Sequence, residues 1–275
     1  MVPTLVILCV SVAVAWGGAV YWSDLQEKRT ANNLQKDETV MKVPERQEEE
    51  EDKEKDKDAE TLQEEPSKPE PPPTVVPESE PAPEGYFADA AFVGDSLTQG
   101  IQLYDVIDTN VVANKGINLY TVLDEDKIRV AEGYTSVLKV LESLAPKKIY
   151  ILLGANDIGW RSESDFKQMY VQLLEEIQKQ HSDSIIYLQS MFPVTKSYSD
   201  TDNGITNEKL VQYNKIILEI AQERGLYYLD VASCLADDTG ALPEEVSPDG
   251  MHLPPEYYKK WFSYLQTHTV KVTEE

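Results

Sequence analysis

The sequence predicts an α/β fold, a three-layer αβα sandwich in which helices cover both faces of a five-stranded parallel sheet. Two observations favour this fold class. From Tyr86 onward, short apolar runs of strand length alternate with longer stretches that carry apolar residues at helical spacing. The apolar runs are nearly uninterrupted by polar residues, which is typical of strands buried on both faces of a parallel sheet.

Five segments are predicted as the strands of this sheet. Each is a short apolar run bounded by glycine, proline or polar residues. In chain order they are 89–95 (DAAFVGD), 109–116 (TNVVANKG), 147–154 (KKIYILLG), 184–194 (SIIYLQSMFPV) and 226–232 (LYYLDVA).

Four segments are predicted as the main helices between and after these strands. Capping and terminating residues define their ends: a serine with following acids starts the second, Gly225 closes the third, and proline opens the last. The segments are 134–145 (YTSVLKVLESLA), 162–180 (SESDFKQMYVQLLEEIQKQ), 206–225 (TNEKLVQYNKIILEIAQERG) and 254–268 (PPEYYKKWFSYLQTH).

The residues before this domain divide into an apolar leader, 1–23, and a polar segment, 24–85. The leader holds 21 consecutive uncharged residues from Val2 to Trp22, which is close to the roughly 20 that a membrane-spanning helix needs. A membrane anchor is favoured, and a signal peptide cleaved after Ala15 is the alternative, although a basic n-region is absent. The leader thus predicts either a protein anchored at the cell surface or a secreted one.

Segment 24–85 is predicted to be a disordered acidic and proline-rich linker, because it contains too few apolar residues to form a core. The domain itself is predicted at 86–270, with a short tail at 271–275. The chain carries 25 Lys and Arg against 49 Asp and Glu, a net charge of −24. This charge repels phosphate backbones and argues against nucleic-acid binding.

Cysteine and histidine usage excludes two further kinds of site. The two cysteines, Cys9 and Cys234, lie in the leader and in the last strand region, so no disulfide framework is predicted. The three histidines are scattered and show no metal-ligand spacing, so we expect neither a metal nor another cofactor.

Several polar residues follow the predicted strands, where the carboxyl ends of parallel strands meet at one edge. Ser96 follows the first strand, Asn156 the third, and Asp249 and His252 share the loop before the last helix. An acid three residues before a histidine can orient the imidazole toward a serine, and an amide can bind an oxyanion. Each residue also has a structural interpretation: a helix cap for Ser96, an Asx-turn for Asn156 and a surface turn for the Asp249–His252 pair.

Together these motifs resemble those of the SGNH hydrolase family, also called GDSL esterases or lipases. The runs FVGDSLTQG, GANDIG and SPDGMHL are similar to the first, third and last blocks of that family, and the resemblance extends from about Phe87 to His268. It implies a flavodoxin-like sandwich and a serine ester hydrolase without a cofactor. It also implies that Ser96 is the nucleophile, that His252 and Asp249 complete the catalytic triad, and that Asn156 and the Ser96 backbone N–H bind the oxyanion.

The second block departs from the family pattern. The family places there a glycine whose backbone N–H is a further oxyanion donor, whereas NKGINLY offers Gly116 early and Leu119 at the later position. A backbone N–H does not require glycine, so either Gly116 or Leu119 could serve as the donor.

The substrate is predicted from the residues that follow GANDIG. Trp160 and Arg161 should lie at the mouth of the site, where Trp160 would stack on a sugar ring or serve as a packing residue. The leading hypothesis is a monomeric, membrane-tethered extracellular esterase that removes small acyl groups, acetyl above all, from carbohydrate or cell-wall polymers. A lysophospholipase or thioesterase, a sugar O-acyltransferase and a carbohydrate-binding pseudo-hydrolase are the alternatives.

Overall fold

The computed structural model describes residues 74–201 and 203–270. The predicted leader at 1–23, most of the predicted linker and the tail at 271–275 lie outside the described residues, so these predictions stay predictions. Within the described ranges, no helix combines the length and the hydropathy that crossing a membrane requires.

A five-stranded parallel sheet forms the centre of the domain, as the sequence predicts. Its strands are β1 (Ala90–Gly94), β2 (Asn110–Ala113), β5 (Lys148–Leu152), β6 (Ile185–Gln189) and β7 (Tyr227–Leu229). They lie in the order β2-β1-β5-β6-β7, and every pair is parallel. The first strand, β1, therefore lies inside the sheet with later strands on both sides of it, and all five carboxyl ends meet at one edge.

Helices cover both faces of the sheet. Those longer than two turns are α1 (Ser96–Leu103), α3 (Val137–Leu144), α4 (Glu163–Gln180), α6 (Asn207–Arg224) and α8 (Pro255–Thr267). Three short helices, α2 (Thr121–Asp124), α5 (Lys196–Ser199) and α7 (Val231–Leu235), lie in the connections. Successive strand residues point to opposite faces, so the sheet forms two cores.

One core lies between the sheet and helices α3, α4 and α6, and includes Val93 and Ile151. The other lies between the sheet and helices α1, α7 and α8. On this second face the rings of Phe92, Tyr150 and Tyr187 stack across three neighbouring strands, with centroids 4.6 and 4.5 Å apart. These apolar layers hold the strand ends rigidly, which positions the loops that follow them.

One predicted helix begins later than expected. Residues 134–135 were predicted to start a helix, but they form part of β4 (Gly133–Thr135), which pairs antiparallel with β3 (Ile128–Val130). Helix α3 begins only at Val137, because the Ser136 side chain accepts a hydrogen bond from Lys139 N–H and caps it.

The predicted linker boundary at residue 85 is also wrong for residues 74–84. Val76 is only 2% exposed, and its N–H donates to the Tyr228 carbonyl at 3.0 Å. Tyr228 N–H in turn donates to the Thr74 carbonyl at 2.7 Å, which extends the sheet beyond β7. The two apolar residues in PTVVP look isolated in the sequence, but one of them completes the second core. We call residues 74–84 the strap.

Candidate active site

Ser96 is the first residue of helix α1, directly after the end of β1. The residue before it, Asp95, caps this helix: its carboxylate accepts a hydrogen bond from Leu97 N–H at 2.9 Å. The Ser96 N–H lies in the first turn, where backbone N–H groups have no partner within the helix. The capping role that the sequence left open for Ser96 thus belongs to Asp95, and the Ser96 side chain is free to point elsewhere.

Gly94 makes this turn possible. A Cβ at Gly94 would collide with the Thr98 side chain and with the Leu152 carbonyl of the neighbouring strand β5. The absence of a side chain lets helix α1 start immediately over the end of the sheet, which fixes Ser96 at its carboxyl edge.

The Ser96 side chain meets His252 across the edge of the sheet. Ser96 Oγ lies 2.9 Å from His252 Nε2, although 156 residues separate them in the chain. His252 Nδ1 lies 2.7 Å from Asp249 Oδ2. If Nδ1–H donates to the carboxylate, Nε2 is left as the acceptor for the serine hydroxyl proton. The structure therefore brings together the three residues that the sequence predicts as a catalytic triad.

Asp249 is held by its own loop as well as by the imidazole. Its Oδ1 accepts hydrogen bonds from the Ser247 hydroxyl and from the N–H groups of Met251 and His252, at 3.0, 3.1 and 2.9 Å. Desolvation raises the pKa of Asp249, but these donors together with the His252 side chain outweigh it and hold the pKa well below its ordinary value. Asp249 is thus a stable anion that fixes the orientation of His252.

Asn156 lies at the same edge, and both hydrogens of its amide already have acceptors. Its Nδ2 donates to the Ile117 carbonyl at 2.9 Å and to Asp95 Oδ2 at 3.3 Å. The structure places Asn156 beside the cap of the serine helix, as predicted. To bind an oxyanion, however, the amide has to give up one of these two acceptors.

The two candidate donors of the second block differ in availability. Leu119 N–H donates to the Asp157 carboxylate, 3.1 Å from Oδ2 and 3.3 Å from Oδ1, in a buried contact. Because a backbone N–H has one hydrogen, Leu119 has to leave Asp157 before it can bind an oxyanion, and its role as a donor stays a prediction. Gly116 is exposed in a turn with φ of 80°, and no acceptor for its N–H occurs in 74–201 and 203–270.

Two buried carboxylates lie behind the site. Burial, with a smaller contribution from the charge of Asp157, raises the pKa of Asp95 to about 6 against the lowering effects of Leu97 N–H and His252. Burial likewise raises the pKa of Asp157 to about 6, against the lowering effects of Leu119 N–H and Arg161. Neither acid contacts the Ser96 hydroxyl, so their role is to hold neighbouring groups in place.

Trp160 contacts Asn156 and Arg161 follows it in the same loop, and the prediction that they line the mouth of the site stays a prediction. Trp160 is 84% exposed, and its indole N–H donates to the Asn156 carbonyl at 2.8 Å. The interpretation of Trp160 as a core packing residue is therefore wrong. The Arg161 guanidinium lies 5.6 Å from the centre of the Tyr120 ring.

Asp157 and Tyr120 have no predicted role in the sequence, although both take part in the contacts at this edge. In the sequence, Asp157 is only the neighbour of Asn156, and Tyr120 is only the last residue of NKGINLY. The hydrogen bond from Leu119 to Asp157, which joins their loops, connects residues 38 positions apart and has no local signal. For metals, the described part of the chain holds no cluster of three or more His, Cys, Asp or Glu side chains suited to an ion.

Comparisons with known proteins identify a family and similar folds. Residues 92–260 match the GDSL-like Lipase/Acylhydrolase family. A Streptococcus pneumonia protein, provisionally assigned as a platelet activating factor, is similar in structure with a TM-score of 0.51 and 22% identity, over 64% of this chain and 81% of that one.

Two further solved structures are similar. A provisionally assigned acylhydrolase from Bacteroides fragilis has a TM-score of 0.49 and 18% identity, over 68% of this chain and 88% of its own. A GDSL-like lipase from Bacteroides thetaiotaomicron has a TM-score of 0.48 and 16% identity, over 66% and 88%. At such identities the likeness concerns the fold alone. No curated protein matches the chain.

Proposed function

Because the chain belongs to the GDSL-like lipase/acylhydrolase family, we propose that it is a serine esterase that removes small acyl groups, acetyl above all, from carbohydrate polymers. One observation carries the catalytic part of the proposal: the hydrogen-bonded line from Ser96 through His252 to Asp249. A hydroxyl, an imidazole acceptor and a buttressing carboxylate in this order are the parts of a nucleophilic triad.

In the proposed mechanism, Ser96 Oγ attacks the ester carbonyl while His252 Nε2 takes the hydroxyl proton. Asp249 stabilises the imidazolium that forms. The tetrahedral intermediate collapses when His252 returns the proton to the leaving alcohol, which leaves an acyl group on Ser96. A water molecule, activated by the same imidazole, then hydrolyses this acyl-enzyme and restores the serine.

The oxyanion is proposed to bind to the Ser96 N–H, the Asn156 amide and the Gly116 N–H. Each donor of this kind contributes about 3 kcal/mol to transition-state stabilisation. The Asn156 amide is bonded to Ile117 and Asp95 in this structure. Its part in catalysis therefore includes an exchange of one of these acceptors for the substrate oxygen.

The openness of the site supports a large, polar substrate. The His252 side chain is 44% exposed, and Trp160 beside the site is more exposed still. Because the three residues lie at the surface, Ser96 can attack an acyl ester on a polymer while the rest of the polymer stays in solvent. A small acyl group fits this arrangement, since it needs no deep apolar channel.

The first test uses the full chain, a fluorophosphonate probe and p-nitrophenyl acetate. We expect the wild-type protein to be labelled and to hydrolyse the ester. We expect Ser96→Ala to lose labelling and to lower kcat/KM by about 10⁴-fold or more. Ser143→Ala, which changes an exposed serine on α3, is the matched control and should behave as wild type.

Different outcomes reject different parts of the proposal. A wild-type protein that is neither labelled nor active contradicts the esterase and favours a binding protein. Strong preference for long-chain over acetyl esters contradicts the small-acyl substrate. Faster loss of the ester on addition of an acceptor sugar, with formation of an acylated sugar, would identify an acyltransferase.

A further inference from the structure

Trp160 is exposed, yet it is held in a defined position at the catalytic edge. The bond from its indole N–H to the Asn156 carbonyl joins the ring to the very residue whose side chain lies in the proposed oxyanion site. An exposed aromatic ring on its own is unremarkable on a protein surface. A ring fixed by a hydrogen bond to Asn156 is available to a molecule that binds next to this residue.

A second aromatic ring lies on the neighbouring loop. Tyr120 follows the second block and is 42% exposed. The guanidinium of Arg161 lies 5.6 Å from its ring centre, within the range of a cation–π contact. Trp160 and Arg161 are consecutive in the chain, so one loop contributes a ring and a cation and the other contributes a ring.

Asp157 joins these two loops from beneath. Its carboxylate accepts the N–H of Leu119, the residue before Tyr120, while its backbone carbonyl accepts the N–H groups of Trp160 and Arg161 at 3.2 and 3.0 Å. Asp157 is only 2% exposed. The side chains of Tyr120, Trp160 and Arg161 are therefore carried by backbone that a buried residue fixes.

Helix α6 supports the same loop from the side. The Tyr213 hydroxyl donates to the Arg161 carbonyl at 2.6 Å. The backbone that carries these three side chains is thus held in place before any substrate binds, which lowers the entropy lost on binding.

We propose that Trp160, Tyr120 and Arg161 form a platform that binds sugar rings of the polymer next to the ester that Ser96 attacks. The negatively charged face of an aromatic ring attracts the C–H groups on one face of a pyranose, and the guanidinium offers up to five N–H donors to hydroxyl groups. The proposal rests on the proposed function and names its substrate class: the platform selects esters carried on carbohydrate over esters of simple alcohols.

The kinetic test compares an acetylated oligosaccharide with p-nitrophenyl acetate in the full chain. Partially acetylated xylo-oligosaccharides and O-acetylated peptidoglycan fragments are the two sugar substrates. For Trp160→Ala and Tyr120→Ala, we expect the ratio of kcat/KM for sugar ester to that for p-nitrophenyl acetate to fall at least about 10-fold, mainly through KM. Trp160→Phe keeps a ring without the indole N–H and should fall less.

Leu144→Ala is the matched control. Leu144 is a partly exposed apolar residue at the end of α3, next to the amino end of β5 and thus at the opposite edge of the sheet. It should leave both activities at the wild-type level. An equal loss on both ester types in Trp160→Ala, or no change in the ratio, overturns the platform.

A binding measurement separates this proposal from the esterase itself. Full-length Ser96→Ala should bind deacetylated xylo-oligosaccharide or peptidoglycan fragments in isothermal titration, and Ser96→Ala with Trp160→Ala should bind at least about 10-fold more weakly. Absence of binding by Ser96→Ala overturns the platform whether or not the wild type is an esterase. Binding that depends on Trp160 in a protein without esterase activity supports the platform and contradicts only the proposed function.

Discussion

At the scale of single residues, the most informative change in interpretation concerns Ser96. The sequence allowed it to be a helix cap or a nucleophile, and the structure separates the two roles between neighbours. Asp95 caps helix α1 through Leu97 N–H, and Ser96 Oγ meets His252 Nε2 instead. The difference of one position matters because Ser96, the residue after the cap, is the first residue of the helix. Its N–H has no partner within the helix, and its side chain lies at the start of the helix.

Asp157 carries a prediction about the pH dependence of stability. Burial raises its pKa from 3.8 to about 6 in the folded protein, so the folded state binds this proton more tightly than the unfolded state. The free energy of unfolding should therefore fall as the pH rises from about 4 to 6, and this carboxyl should contribute no further change above that range. A shift of this size corresponds to about 3 kcal/mol. In urea unfolding between pH 4.5 and 7, the free energy of unfolding of Asp157→Asn should fall less steeply with pH than that of the wild type.

Two comparisons make this test specific. Asp238→Asn removes an exposed carboxylate and controls for the loss of one negative charge. Asp249 affects stability in the opposite direction and in a lower pH range, because its pKa is lowered in the folded protein. Its contribution to the free energy of unfolding is present above its ordinary pKa and is lost as the pH falls below that value. If Asp157→Asn and wild type differ by a constant free energy across the range, the raised pKa of Asp157 is wrong.

At the scale of elements, the strap is the ordered part of the domain that the amino-acid composition did not predict. Besides its bonds to Tyr228, it reaches the end of helix α8, where Ser79 N–H and Ala82 N–H donate to the carbonyls of Thr267 and Gln266 at 2.6 and 2.8 Å. The strap thus connects the edge strand of the sheet to the last helix. Its prolines fit this position, because an edge segment needs few N–H donors.

Removal of the strap should destabilise the domain without changing its active site. A fragment of residues 86–275 should have a free energy of unfolding about 2–4 kcal/mol lower than a fragment of residues 74–275. The loss combines the apolar area that Val76 buries with several backbone hydrogen bonds, reduced by the entropy of ordering the segment. Chemical denaturation of the two fragments measures the difference.

Val76→Ala in the longer fragment is the companion variant. It keeps the backbone hydrogen bonds and removes two buried methyl groups, so it should lose about 1–2 kcal/mol. Val75→Ala alters an exposed neighbour and should lose much less. Equal stability of the fragments starting at 74 and at 86 would show that the strap contributes nothing.

At the scale of the whole molecule, the first residues of the strap and Ser96 lie at opposite edges of the sheet. The strap pairs parallel with β7 through Val75 and Tyr228, so Thr74 lies toward the amino edge of the sheet. Ser96 follows β1 and lies at the carboxyl edge.

We propose that the apolar leader, Val2–Trp22, anchors the protein in a membrane with the esterase domain outside the cell. The full chain should stay with membranes after a carbonate wash and carry the p-nitrophenyl acetate activity with it, because an uncharged run of this length can span a bilayer. A chain without residues 1–23 should be released. Recovery of a soluble mature protein that begins at Trp16 would contradict the anchor and support a cleaved signal peptide.

The sequence alone was enough for the class of fold and the five parallel strands, and it named Ser96, His252 and Asp249, which the structure joins by hydrogen bonds. Strand and helix signals are local, and a buried parallel strand such as KIYIL is recognisable from its own composition. Polar residues that follow parallel strands meet at one edge, and the resemblance of their motifs to the SGNH family is what implied roles for Ser96, Asn156, Asp249 and His252. The short hairpin β3–β4 was missed because strands of three residues carry too little periodicity.

Only the tertiary structure decided which groups are free to act. That Leu119 N–H is taken by Asp157, that Asn156 already donates to Ile117 and Asp95, and that Val76 belongs to the core all depend on contacts between distant parts of the chain. No local pattern encodes such contacts, since a backbone N–H has the same chemistry in every residue except proline. The sequence determined which residues reach the catalytic edge, and packing determined which of their hydrogens and faces remain available to a substrate.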